Sequence, residues 1–239
     1  MNIYKVENIG DLIRDNAYVG RGIVAGTSPE GKAVAAYFIM GRSANSRNRI
    51  FEKTANNELF TRPYDESKVQ DPSLIIYAAL RQAGNTLVFT NGDQTDTIVE
   101  GLEKGMSFKE ALESRCFEPD APNYTPRISA AEYLGSERFN YELSILKSID
   151  AEGTDCARYT FSYNAKPGLG HFIHTYVTDG NPIPTFQGEP ERVEIPSDID
   201  EFTGDLWDNL NEDNKISLYV RYTDPASGEF TDRLINKYQ

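Results

Sequence analysis

The chain has 239 residues, of which 39% are hydrophobic, and its formal net charge is -13. This acidity argues against nucleic-acid and anionic-membrane partners, because both kinds of partner require a basic protein surface. No apolar segment has the length that spans a bilayer, and the acidic N-terminal residues lack the apolar core of a signal peptide. We therefore expect a cytoplasmic protein with enough apolar side chains to build a core.

Two pairs of strands are predicted in the N-terminal half. The apolar runs 19–26 and 33–40 are separated by a turn that contains proline and glycine, which predicts a β-hairpin. The runs 74–81 and 85–90 predict a second pair by the same pattern.

The first hairpin leads into an arginine cluster, the segment Arg42–Arg49, which has three guanidinium groups in an otherwise acidic chain. Guanidinium donors match the oxygens of phosphate and carboxylate groups, and mutually repelling arginines are expected to gather where an anion binds. We therefore predict that Arg42, Arg47 and Arg49 surround one anion site in a loop. A solvated loop with surface arginines is the alternative that the spacing alone leaves open.

Two helices are predicted after the second pair of strands. Asp93 has the position of an N-cap for a helix that ends at Gly105. Ser107 and Glu110 have the spacing of a capping box, which predicts another helix to about Cys116.

The rest of the chain is predicted to contain mostly strands, without the regular strand–helix alternation of a doubly wound sheet. Residues 179–198 hold four prolines and are predicted to be irregular, whereas 199–211 have helical spacing of apolar residues. The predicted strands are 138–149, 157–163, 171–178, 215–222 and 229–236. We therefore expect one α+β domain, residues 1–239, with antiparallel sheets covered by helices.

Three further segments contain candidate binding or catalytic residues. Arg21 lies between two glycines, which indicates either a β-bulge or a close approach to a ligand. Asn91 lies in a turn before a helix, where a polar substrate could bind or where the turn has only a structural role. The proline-rich segment 118–127 contains Glu118 and Asp120 as general acid–base candidates, although an ordinary acidic connector is the alternative.

The histidines and cysteines predict no metal site. His171 and His174 lie three residues apart in a predicted strand and would point to opposite faces of the sheet. Cys116 and Cys156 lack metal-ligand spacing, and we expect two buried free thiols in preference to one disulfide bond. No cofactor motif is present in the sequence, so none is expected.

Four segments occur in a characteristic order: Tyr18–Arg21, Ala35–Tyr37 leading to Arg42 and Arg47, Thr90–Ile98, and Asn123–Ile128. Together they resemble the corresponding segments of the archaeal-type inosine monophosphate (IMP) cyclohydrolases. The resemblance covers residues 18–130, and beyond them it depends on the predicted strand order and on Gln187–Glu189.

This resemblance implies a four-layer αββα sandwich like that of the N-terminal-nucleophile hydrolases, used without the nucleophile. Asn2 agrees with that, because it is not Ser, Thr or Cys. The chain departs from the family pattern in two places. Residues 1–17 form an N-terminal extension, and the arginine cluster begins Met-Gly-Arg-Ser where the family has Ser-Ser-Arg-Ser.

The resemblance also implies an activity, the ring closure of 5-formamidoimidazole-4-carboxamide ribonucleotide to IMP with loss of water. It implies catalytic roles for Arg47, Tyr77, and Glu118 or Asp120. The substrate-binding residues that it implies are Arg21, Arg42, Ser43, Arg49, Asn91, Asn123, Thr125 and Arg127.

Two other functions stay open at this point. One is a non-catalytic purine-nucleotide-binding module on the same fold, and the other is a hydrolase of a different amide or cyclic amidine. In each case the expected partner is a small molecule, and the sequence leaves assembly into a homo-oligomer open.

Overall fold

A computed structural model describes residues 4–69, 76–136 and 138–239, which form two antiparallel β-sheets. The strands of the first sheet, in spatial order, are β11 (Glu191–Glu194), β10 (Leu169–His174), β1 (Arg21–Thr27), β2 (Ala33–Met40), β12 (Lys215–Thr223) and β13 (Phe230–Asn236). Those of the second sheet are β3 (Ile50–Lys53), β4 (Leu59–Arg62), β5 (Ala78–Ala83), β6 (Thr86–Thr90), β7 (Arg127–Tyr133), β8 (Asn140–Ser148) and β9 (Cys156–Asn164).

The helices are short, and four of the five pack on the outer faces of these sheets. They are α1 (Ile9–Ile13), α2 (Ala44–Arg47), α3 (Gln94–Glu103), α4 (Phe108–Leu112) and α5 (Ile199–Trp207), and a 3-10 turn covers Glu66–Lys68. Apolar residues of α1 and α5 pack on the first sheet, and those of α3 and α4 pack on the second sheet. In the described residues, no helix has the length and apolar character needed to cross a membrane.

The hairpin of β1 and β2 was predicted correctly because both of its faces are buried. Ile23 and Tyr37 face the second sheet, whereas Val24 and Phe38 face the helices. Every residue of both strands is buried, so the sequence is a continuous apolar run. The predicted α+β class and the antiparallel sheets are confirmed.

The arginine cluster forms the short helix α2 where a loop was predicted. Ser43 caps this helix, since its Oγ accepts a hydrogen bond from the Ser46 backbone N–H at 3.1 Å and the Ser43 N–H donates to Ser46 Oγ at 3.0 Å. The small polar residues that suggested a loop are therefore the capping residues of a helix.

Other elements differ from the predictions in their ends or in their existence. Asp93 makes no capping hydrogen bond at α3, and α4 and α5 end earlier than predicted, at Leu112 and Trp207. Strand β11 lies inside the region predicted to be irregular, because its partner β10 is distant in sequence. Elements α1, β3, β4 and β7 were not predicted, and residues 74–75 of a predicted strand lie outside the described residues.

Glu132 of β7 is a buried carboxyl group with 0% exposure. Neither of its carboxyl oxygens has a hydrogen-bond partner among the described residues. Burial disfavours the charged form and raises the pKa of Glu132 to about 8, although the positive charge of Arg221 opposes this shift. Folding therefore favours the neutral carboxyl group.

Replacing Glu132 with Gln is expected to remove a pH-dependent loss of stability. Below the ordinary glutamate pKa the group is neutral in the folded and unfolded chains, so it has no pH-dependent effect. As pH rises, Glu132 ionises first in the unfolded chain, and the free energy of unfolding of the wild type therefore falls. This decrease levels off above about pH 8, where Glu132 is ionised in the folded chain as well. Each unit of pKa difference is worth about 1.4 kcal/mol. Urea unfolding across this pH range measures the difference between the two proteins.

The exposed Glu113 provides the matched control, and Glu113→Gln should leave the pH dependence unchanged. A Glu132→Gln protein with the same pH dependence as the wild type would contradict the prediction.

Candidate functional site

A cavity of about 250 Å³ contains most of the predicted site residues. It lies where β1, the arginine cluster and the segment between α4 and β7 meet. Eight of its lining residues were predicted from the sequence, namely Arg21, Arg42, Ser43, Arg49, Glu118, Asp120, Asn123 and Thr125. The others are Tyr18, Asn45, Ser46, Tyr176 and Ile183.

Larger cavities, of about 490 and 660 Å³, lie on other parts of the surface. We do not assign the functional site to them, because neither contains a buried arginine. The smaller cavity is distinguished by its buried charges.

Arg21 and Arg49 form a buried pair of like charges at this cavity. Arg21 is the first residue of β1 and Arg49 directly precedes β3, and they are 7% and 5% exposed. Burial, and then the positive charge of Arg21, lower the pKa of Arg49. The buried Nε atoms of both side chains have no hydrogen-bond partner in the described parts of the chain. Such a pair requires a negative group nearby.

Glu118 provides a negative group at this pair. Its backbone N–H donates to the Thr125 carbonyl at 2.9 Å, which fixes the segment, while its carboxyl group lines the cavity. Burial raises the pKa of Glu118, and the positive charges of Arg21 and Arg127 act in the opposite direction. A carboxyl group with a raised pKa holds its proton to a higher pH than an ordinary glutamate.

Asp120 has a different environment, although it lines the same cavity. Its carboxylate accepts a hydrogen bond from the Thr125 backbone N–H at 2.6 Å and another from the Thr125 hydroxyl. The Thr125 hydroxyl is also 2.6 Å from the hydroxyl of Tyr176. Asp120 therefore stabilises the conformation of its own segment. Of the two side chains, Glu118 is the one whose carboxyl oxygens are not bonded to Thr125.

Tyr77 does not line the cavity, although the charges of both arginines reach it. It is 5% exposed, and its hydroxyl is 2.8 Å from that of Tyr37, which is fully buried on β2. Burial raises the pKa of Tyr77, whereas the charges of Arg49 and Arg21 lower it. The two phenols therefore form a buried hydrogen-bonded pair within electrostatic reach of the arginines.

Arg42 lies at the rim of the cavity and is already partnered. It makes an ion pair with Asp179 and donates to the Gly180 carbonyl at 2.8 Å. Its guanidinium carbon is also 5.2 Å from the centre of the Tyr18 ring. An incoming anion would therefore compete with Asp179 for Arg42.

Arg47 and Asn91 do not line the cavity, and their hydrogen bonds connect parts of the fold. Arg47 donates to the Gly41 carbonyl at 3.1 Å and to Asn214 Oδ1 at 2.9 Å. Asn91 donates to the Pro126 carbonyl at 2.8 Å and accepts from the Ile128 N–H at 2.9 Å.

Two other predicted binding residues also have partners within the chain. Arg127, which does not line the cavity, bonds to Gln94 at 2.8 Å and to Asp93 at 2.7 Å. Asn123, which does line it, accepts a hydrogen bond from the Ile183 N–H at 3.2 Å.

Sequence reasoning missed five lining residues for different reasons. Tyr18, Asn45 and Ser46 lie within the segments in which site residues were predicted, but they were not themselves predicted to be site residues. Tyr176 and Ile183 had no local signal, since they follow β10 and are brought to the cavity by the sheet. In the described residues, no group of three or more His, Cys, Asp or Glu side chains is placed to hold a metal ion.

The fold and the cavity define an α+β protein with two buried arginines at a cavity lined by charged and polar side chains. Residues 18–228 match the family described as IMP cyclohydrolase-like protein. The chain belongs to this family.

Several similar proteins are named IMP cyclohydrolase. That of Methanopyrus kandleri is 37% identical over 115 residues, which cover 47% of this chain and 57% of the relative. That of Methanocaldococcus jannaschii is 33% identical over 114 residues, or 47% and 55% of the two chains. The Haloquadratum walsbyi protein is 29% identical over 140 residues, or 55% and 66%. The matches therefore span between 55% and 66% of the length of these relatives.

Inorganic phosphate or sulfate is expected to bind at Arg21 and Arg49 and to raise the midpoint of thermal unfolding, because the anion binds only the folded chain. Arg49→Ala should abolish the shift that the anion causes, and Arg49→Lys should weaken it because an ammonium lacks the guanidinium fork. Differential scanning fluorimetry with increasing anion concentration measures this.

Arg47→Ala is the matched control, since it removes an arginine of the same cluster outside the cavity. It should lower the midpoint itself but keep the shift caused by the anion. An equal anion effect in the Arg49→Ala protein would show that the anion binds elsewhere.

Proposed function

We propose that this protein catalyses the ring closure of 5-formamidoimidazole-4-carboxamide ribonucleotide to IMP. The observation that carries the proposal is the approach of Glu118 to two buried arginines in one cavity. Membership of the IMP cyclohydrolase-like family supports the same reaction. The two sheets with helices on their outer faces also support a four-layer αββα sandwich of the N-terminal-nucleophile hydrolase type, used without the nucleophile.

The reaction joins two groups of one molecule, so orientation supplies a large part of the rate. The carboxamide nitrogen attacks the formyl carbon, a C–N bond forms, and the formyl oxygen takes the π electron pair as an oxyanion. The carboxamide and formamide nitrogens each lose one proton in total. The formyl oxygen gains two protons and leaves as water.

Glu118 is the proposed acid–base residue in both halves of this sequence. Its carboxylate accepts the proton of the attacking nitrogen and then donates a proton to the departing oxygen. The raised pKa makes the second step easier than it would be for an ordinary glutamate. Arg21 and Arg49 stabilise the oxyanion, because their charges are fixed in place before the reaction starts.

The phosphate group of the nucleotide is assigned to the rim of the cavity, apart from Arg21 and Arg49, where a free inorganic anion takes the place of the reaction's oxyanion. Arg42 there is less deeply buried than Arg21 and Arg49, and Ser43, Asn45 and Ser46 surround it with small polar groups. Phosphate at this rim would replace Asp179 as the partner of Arg42. This arrangement keeps the phosphate charge away from Glu118.

Glu118→Gln is expected to lower kcat by about 100-fold or more, the usual scale for a positioned acid or base. IMP binding should survive, since the amide keeps the shape of the side chain. In the wild type, kcat/KM should fall on the acidic side at a pH above the ordinary glutamate pKa, because the base form is needed first. The ultraviolet change on ring closure measures both effects.

Asp120→Asn is the matched control on the same segment. It should weaken the bonds to Thr125, lower stability and raise KM while acid–base catalysis remains. The assignment to Glu118 is wrong if Asp120→Asn loses kcat as severely and Glu118→Gln does not.

Tyr77→Phe and Tyr37→Phe test the buried phenol pair. If Tyr77 donates a hydrogen bond towards the reacting oxygen, Tyr77→Phe lowers kcat and kcat/KM together, as expected for an interaction made only in the transition state. Tyr37→Phe should have a smaller effect, because Tyr37 acts only through Tyr77. Steady-state kinetics of both variants distinguish the two roles, and full activity of Tyr77→Phe would remove Tyr77 from the mechanism.

The wild-type protein itself distinguishes the enzyme from a binding module. Ring closure by purified protein supports the enzyme. IMP binding measured by calorimetry without ring closure would instead support a non-catalytic nucleotide-binding module.

A further inference from the structure

The two cysteines of the chain lie side by side, on segments distant in sequence. Cys156 is the first residue of the edge strand β9, and Cys116 lies in the irregular segment after α4. Both are free and half-buried, where two buried thiols were expected. The Cys116 side chain lies close enough to the Cys156 thiol to contribute to the raised pKa of Cys156.

The backbones of the two segments are also held together at this point. Arg158 donates to the Arg115 carbonyl at 2.8 Å and to the Cys156 carbonyl at 3.1 Å. The Arg158 guanidinium therefore holds the carbonyl group of Arg115, which precedes Cys116, close to the carbonyl group of Cys156. A disulfide bond between the two cysteines requires a sulfur–sulfur distance of about 2.05 Å.

We propose that Cys116 and Cys156 are a reversible dithiol–disulfide pair. The oxidant is a small disulfide such as oxidised glutathione. The Cys116 thiolate attacks one sulfur of the oxidant, whose S–S bond breaks and releases one small thiol. Cys156 then loses its proton to solvent and attacks Cys116 Sγ, which releases the second small thiol. Two electrons and two protons thus pass from the protein to the oxidant.

We assign the second attack to Cys156, because its thiolate is disfavoured. Burial, and then the neighbouring Cys116, raise the pKa of Cys156 to about 11. Cys156 therefore acts as the resolving thiol, which attacks after the mixed disulfide has formed beside it.

The disulfide would connect to the proposed active site through a short piece of backbone. Glu118 lies two residues after Cys116, in a segment with no helix or strand. Movement of Cys116 towards β9 would displace this segment, and a displacement of about 1 Å at a reacting group can cost about 100-fold in rate. We expect oxidation to lower kcat by roughly tenfold. This consequence rests on the proposed function, whereas formation of the bond does not.

The bond is tested on the full chain with oxidised glutathione, followed by dithiothreitol. Oxidation should remove both titratable thiols, lower the intact mass by two hydrogens and raise the midpoint of thermal unfolding, since the bond closes a loop of about 40 residues. Dithiothreitol should reverse all three changes. Cys116→Ser and Cys156→Ser should fold like the reduced wild type and show none of the increase in midpoint.

The outcomes separate the two parts of the proposal. Thiols that remain titratable, stable glutathione adducts on both cysteines, or a bond between two chains on a non-reducing gel would each overturn the pair. An intramolecular disulfide with unchanged kcat would overturn its connection to Glu118. A disulfide in a protein that never closes the ring would overturn the proposed function and leave the pair supported.

Discussion

The site depends on the burial of two like charges side by side. Arg21 begins β1 of the first sheet and Arg49 directly precedes β3 of the second sheet. Burial of both guanidiniums is unfavourable unless negative groups are close. Burial acts to lower the pKa of Arg21, but acidic groups nearby, among them Tyr18 and Glu118, raise it overall. The same arrangement explains why Glu118 lines the cavity and why an anionic substrate would be stabilised there.

Hydrogen bonds then separate the roles of chemically similar side chains. Glu118 and Asp120 are two residues apart, but the backbone and hydroxyl of Thr125 occupy only the carboxylate of Asp120. In the arginine cluster, Arg47 bonds to groups of the fold while Arg49 reaches the cavity. Residue type alone does not separate these pairs. The partners that separate them are set by the local backbone for Asp120 and, for Arg47, by Gly41 and by Asn214 in the distant turn before β12.

The elements that could be predicted are those in which neighbouring residues determine the structure. The hairpin β1–β2 has a short turn and buried faces, and the capping box of Ser107 and Glu110 acts over three residues. Strand β11 could not be predicted, because its hydrogen bonds go to β10, which is distant in sequence. Helix α2 was predicted to be a loop, because the small polar residues that cap it are also typical of loops. The cavity was predicted to the extent that its residues cluster along the chain, as Arg42–Arg49 and 118–127 do.

The residue types alone indicated the α+β class, the acidic surface, the arginine cluster and the family resemblance, because each depends on composition or on short spacings. Only the folded chain decided that Arg21 joins Arg49, that Tyr37 pairs with Tyr77, and that Cys116 meets Cys156. These contacts join residues far apart in sequence. They exist because strand register and sheet packing fix distances between segments, which no local pattern of residues encodes.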